Sequence, residues 1–174
     1  LTTGTLALLD GSTLTHPLAN ESGLSIQAKR VEIDATSAIE VTGRGYLGGN
    51  KTGLGETAHT LGFQPGSQTG SGGSHGGRGG DFASNGANVP GPVYGDAKRP
   101  LTLGGGGGAW GGNGAEGGGA LHIEASEAVV VNGAIRADGA LSAGSASGEG
   151  AGGSIWITTG QVGGTGKISD EALA

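Results

Sequence analysis

The chain has 174 residues, 43 of them Gly, and a net charge of −6 at neutral pH. About a quarter glycine, where roughly 7% is usual, leaves little room for a large core, and the absence of Cys excludes disulfides, thiolate metal sites and a cysteine nucleophile. Nine basic residues scattered singly or in pairs do not make a nucleic-acid surface, and no apolar run approaches the roughly 18 residues of a membrane helix.

Met is missing even at position 1, which reads as a piece of a longer chain, and no signal peptide is visible. Helix is not expected. Gly costs a helix interior about 1 kcal/mol relative to Ala, and no glycine-free window sustains a 3.6-residue apolar period.

Strand signals begin at residues 5–9 and continue at 24–28, 31–33 and 39–41, each alternating small or apolar with polar residues. They return at 121–125, 129–131, 134–137 and 155–159. The strands fall into an internal repeat. Leu24-x-Ile26-x-Ala28, Val31-x-Ile33 and Ile39-x-Val41 make one unit; Leu121-x-Ile123-x-Ala125, Val129-x-Val131 and Ile135-x-Ala137 make a second. Ile155-x-Ile157, Val162 and Ile168 make a third.

Units of short strands that recur with turns between them predict an all-β fold, a right-handed parallel β-helix or solenoid in which Leu, Ile and Val stack inward in ladders. The chain reads as one β-solenoid domain over 1–174 with a glycine-rich insertion at about 43–119. An ordinary β-sandwich is the competing reading. Against it, two-residue hairpin signals occur only at Asn85-Gly86, Asn113-Gly114 and Asn132-Gly133.

Within the insertion two runs have Gly at every third place, from Gly70 to Asp81 and from Gly105 to Gly119. A chain with three residues per turn needs Gly along any edge pressed against a neighbour, so the runs predict a bundle of polyglycine or polyproline II helices. They are too short and too poor in Pro for collagen. A flexible glycine-rich loop is the alternative. In the bundle reading Gly76 and Gly111 sit on the crowded edge, and Ser74 points away from it.

Motif matches are weak in such a composition. Gly72-Gly73-Ser74-His75-Gly76 has the spacing of a nucleophile elbow without the strand and helix around it. Gly76-Gly77-Arg78-Gly79-Gly80-Asp81 opens like a calcium-binding nonapeptide, making Asp81 a weak calcium candidate, but Ala83 stands where the large apolar residue belongs. Gly49-Asn50-Lys51-Thr52 and Gly163 to Ile168 each lack an essential part of a phosphate loop. His16, His59, His75 and His122 are not at metal-ligand spacing, and His122 is expected on the outer face of its strand. Glu32, Asp34 and Asp138 could meet across stacked strands as a lyase-like or glycosidase-like carboxylate pair, or be ordinary solvated carboxylates. No cofactor and no catalytic residue is assigned.

Segments such as Gly45-Tyr46-Leu47-Gly48-Gly49, Val93-Tyr94-Gly95, Asn132-Gly133-Ala134-Ile135-Arg136 and Gly152-Gly153-Ser154-Ile155-Trp156-Ile157 carry a further signal. The chain resembles, from about Leu24 to Ile168, the glycine-rich parallel β-helix-like modules of bacterial secreted and cell-surface, adhesin-like proteins. A looser similarity, limited to the triplet runs, is to phage-fibre tip adhesins. The resemblance implies an extracellular or surface setting and no catalytic residues.

The expected function is a non-catalytic structural or adhesive module, attached to a larger parent chain and meeting a surface glycan or protein receptor. The alternative is a carbohydrate-binding or carbohydrate-active domain that stacks sugars on Trp110, Trp156 or Tyr46. Loops on a rigid scaffold and aromatic anchors usually carry binding, which selects Tyr46, His75, Phe82, Tyr94 and Trp110, with Phe63, as binding candidates.

Overall fold

The computed structural model describes residues 3–82, 89–144 and 146–172; Asn85-Gly86 and Ala83 lie outside them. Strands β1 (Thr3–Leu8), β3 (Leu24–Ile33), β7 (Ala120–Val131), β9 (Ser154–Thr159) and β10 (Val162–Gly163) form one sheet. A second sheet holds β2 (Thr13–Leu14), β4 (Ala38–Glu40), β8 (Ala134–Arg136) and β11 (Lys167–Ser169). Every pairing in these two sheets is parallel. A two-stranded antiparallel hairpin, β5 (His59–Thr60) with β6 (Gln64–Pro65), encloses a 3-10 turn at Leu61–Phe63, the one helical segment among the described residues.

The register follows the sequence repeat. Leu24 lies beside Leu121 and Leu121 beside Ile155; Ile26, Ile123 and Ile157 form the next rung. Leu14, Ile39, Ile135 and Ile168 form a ladder in the second sheet. Alternation slips by one residue between Ala28 and Arg30, so the inward series passes from Ile26 and Ala28 to Val31 and Ile33. The core lies between the sheets, with Val31, Ile39, Ile123, Val129 and Ile135 fully buried.

The expected β-helix is corrected by this topology. Among the described residues no solenoid or closed β-helix forms: the strands make two open parallel sheets, an arrangement proper to mixed α/β folds, with glycine-rich backbone in the place of crossover helices. The reason lies in the stretches that follow β4 and β8, 41–49 and 137–144. They are too rich in Gly and Ala to present a third row of apolar side chains, and their backbone bonds outward in several directions instead of along one ladder.

The bonding of the buried run 104–108 shows the pattern. Its bonds to segment 114–118 are Gly104 N–H to Gly118 O, 2.8 Å, and Gly107 N–H to Ala115 O, 2.9 Å. Tyr46 and Gly49 donate to the carbonyls of Gly104 and Gly107, while Ala151 and Gly148 donate to those of Gly105 and Gly108. Each neighbour is met again after three residues, which is the turn of a polyproline II chain.

Between these chains there is no space for side chains. A Cβ on Gly48, Gly106, Gly107, Gly114, Gly118 or Gly150 would overlap a neighbouring backbone carbonyl. The lattice also takes in 137–140 and 147–153, beyond the boundary read from composition. Among the described residues no helix is long and apolar enough to cross a membrane.

Candidate functional site

A hollow of about 970 Å³ forms a groove on the face of the lattice. Its floor is the backbone of Gly72, Gly73 and residues 147–153; its walls are 75–82 and 93–97, with Asp170 at one end. The floor is backbone because the segments beneath it are packed too closely for side chains.

The structure divides the predicted binding residues into two groups. Tyr46 is fully buried beside Leu103 and Ala120. Its hydroxyl donates to Glu21 and accepts from Gly62 N–H, and burial together with the Glu21 bond pushes its pKa up to about 12. Tyr94 packs edge-on to Tyr46 at 6.3 Å and donates its hydroxyl hydrogen to Leu103 O at 2.8 Å. Burial raises its pKa further still.

His75 lies 5.1 Å from the Tyr94 ring. Its Nδ1 bonds Gly152 O at 2.9 Å, so that nitrogen carries the hydrogen, and Nε2 at 2.8 Å accepts from the Thr102 hydroxyl. Burial lowers its pKa, which keeps this neutral tautomer. Phe63 closes the cluster edge-on to Tyr46 and His59. These residues join lattice to sheet.

Phe63 is 43% exposed, as is Phe82, and Trp110 is 49% exposed; Phe82 and Trp110 lie outside the Tyr46 cluster, with ring centroids 6.1 Å apart. Phe82 lies over Gly70, where a Cβ would strike the ring. The Trp110 backbone is clamped by Ser147 Oγ, which accepts its N–H at 3.1 Å and faces its carbonyl at 3.3 Å. The Trp110 ring therefore projects from fixed backbone, and the Phe82 ring rests on Gly70.

Asp81, beside them, is held by the Arg78 guanidinium at 3.2 Å. Among the described residues no group of three or more His, Asp or Glu is placed to hold a metal ion. Ser74 is buried and accepts the Gly79 N–H at 3.1 Å, with neither strand before it nor helix after it.

The carboxylates considered for catalysis are occupied elsewhere. Glu32 pairs with Arg30. Asp34 accepts from Asp10 N–H, Thr36 N–H and the Thr36 hydroxyl, bonds that hold its pKa well below the usual carboxylate range. Asp138 is buried and accepts from Ser169 and from Glu171 N–H. His122, expected to point outward, stacks on Trp156 at 4.5 Å and is half-buried.

Sequence reasoning did not find Asp96, Glu149 and Asp170 in the groove. They come from three distant segments that only the lattice brings together, and no spacing in the sequence signals it. The chain was compared with protein-family models, with curated proteins and with solved structures, and none of them matches it.

Proposed function

We propose that this chain is a non-catalytic adhesive module of a bacterial surface or secreted protein. The observation that carries the reading is the Phe82–Trp110 pair, two half-exposed rings 6.1 Å apart, Phe82 lining a sizeable groove and Trp110 beside it on backbone clamped by Ser147. Leaving each ring nearly half exposed forgoes about half of the ~1.5–3 kcal/mol that full burial would give, a cost that a binding surface recovers when it is covered.

The use of the polar groups favours binding over chemistry. His75 spends both ring nitrogens on structure, and the Ser154 hydroxyl donates to Thr102 O at 2.7 Å. Among the described residues lining the groove, no serine hydroxyl is hydrogen-bonded to a histidine. The resemblance to adhesin-like modules supports the extracellular setting.

The test is Trp110→Ala, screened against arrays of glycans and of host-surface proteins. The reading predicts an unchanged melting temperature with lost binding. Lost stability would assign the ring to packing, and retained binding would remove it from the site.

A further inference from the structure

We propose that the groove takes a basic peptide segment, with lysine or arginine side chains set between the groove carboxylates and the Phe82 and Trp110 rings; this names the partner class for the adhesive reading and rests on it.

The argument is an account of donors and acceptors. Several of the groove's own donors are engaged. The Arg78 guanidinium is on Asp81, His75 is fixed between Gly152 and Thr102, and the Ser147 and Ser154 hydroxyls are engaged. The amides of the floor donate into the lattice: Gly73 to Glu149 O, Gly148 to Gly108 O, Ala151 to Gly105 O.

Acceptors remain. One Asp96 oxygen takes Lys98 N–H from its own turn, leaving the other, and the exposed Asp170 carboxylate has no hydrogen bond to a described residue. One guanidinium, Arg78, stands against four carboxylates, Asp81, Asp96, Glu149 and Asp170.

A ligand for this surface must bring hydrogen-bond donors and positive charge. An acidic partner meets repulsion, and a neutral sugar finds few donors for its own oxygens. Lysine and arginine satisfy both demands, and their cations are attracted to the faces of exposed aromatic rings. An extended peptide also suits a groove with a flat backbone floor, because its side chains alternate between the two walls.

The test is calorimetric titration of the whole chain with three probes: an alternating Lys-Gly peptide, the Glu-Gly peptide of equal length, and a neutral oligosaccharide. The Lys-Gly peptide is expected to bind, and to bind more weakly at high salt. Asp96→Asn combined with Asp170→Asn should weaken it about tenfold, as should Trp110→Ala, the loss of one good contact in each case.

Melting temperatures should stay put, since these side chains are exposed. Equal or tighter binding of the Glu-Gly peptide or the sugar would overturn the proposal, as would Lys-Gly binding indifferent to the variants. If the Lys-Gly peptide fails to bind while another array component binds in a Trp110-dependent way, this inference falls and the adhesive reading stands. If nothing binds through Trp110, the adhesive reading itself falls.

Discussion

A methyl group at Gly114 would have to share space with the Gly107 carbonyl, whereas at Gly76 it would meet nothing within 4 Å. Both are glycines of the triplet runs, yet they differ in environment. Gly114→Ala should destabilise the fold by about 3 kcal/mol or more, since both partners are backbone and neither can move alone. Gly76→Ala should be nearly silent in the same thermal melt, contrary to its expected place on the crowded edge. Gly111 is also open; its constraint is a φ of 66°, which a side chain rarely adopts.

Ser74, expected to point away, is buried and holds Gly79 N–H, so Ser74→Ala should cost about 1 kcal/mol. Solvent pH enters through His16. It is buried, with Nδ1 bonded to Pro17 O and Nε2 accepting Ala120 N–H, which fixes the neutral ring. Burial, with the Arg44 charge adding to it, lowers the pKa below the ordinary value. The unfolded chain therefore binds the proton more tightly, and stability is lost as pH falls through about 6.5 and below. The melting temperature should drop between neutral pH and about pH 5, and His16→Gln should flatten that slope, leaving the parts due to His59 and His75, whose pKa values are also lowered.

At the scale of strands, the ladders were legible in the sequence because a buried strand face leaves a period of two, and Ile26, Ile123 and Ile157 kept that phase across long intervals. Ile123, fully buried in the middle rung, should cost about 2–5 kcal/mol when cut to Ala. The rungs at the sheet edge behave differently. Val162 and Ile168 lie beside the buried Val129 and Ile135 but are 60% and 44% exposed, because no further strand covers them among the described residues. Val162→Lys should change stability by less than about 0.5 kcal/mol and reduce any edge-to-edge association seen by light scattering. The closed coil was not to be read correctly from the same pattern. Two-residue periodicity shows which residues face inward, and it is silent about whether a third side exists.

For the whole molecule, the glycine-rich backbone takes the part that helices play in other parallel-sheet proteins. It covers one end of the sheets and carries the groove. The triplet phase pointed to chains with three residues per turn. It failed to say which glycines are enclosed, because in a lattice a chain surrounded on all sides needs glycine at every place, as in the buried run 104–108. The aromatic residues were ambiguous for a related reason. Tyr46 and Trp110 follow similar glycine-rich stretches, and only the packing puts one against Leu103 and the other in water.

Ordering so much glycine carries a high entropy cost, and the account holds that the backbone hydrogen bonds between the chains offset it. Amide hydrogen exchange resolved at Gly104, Gly106, Gly107 and Gly108 measures this directly. Their N–H groups donate to Gly118, His59, Ala115 and Ser71, so they should exchange as slowly as the amides of β3 and β7, through global unfolding. Exchange at the rate of an unstructured chain, while β3 and β7 stay protected, would contradict the lattice and with it the rigid groove.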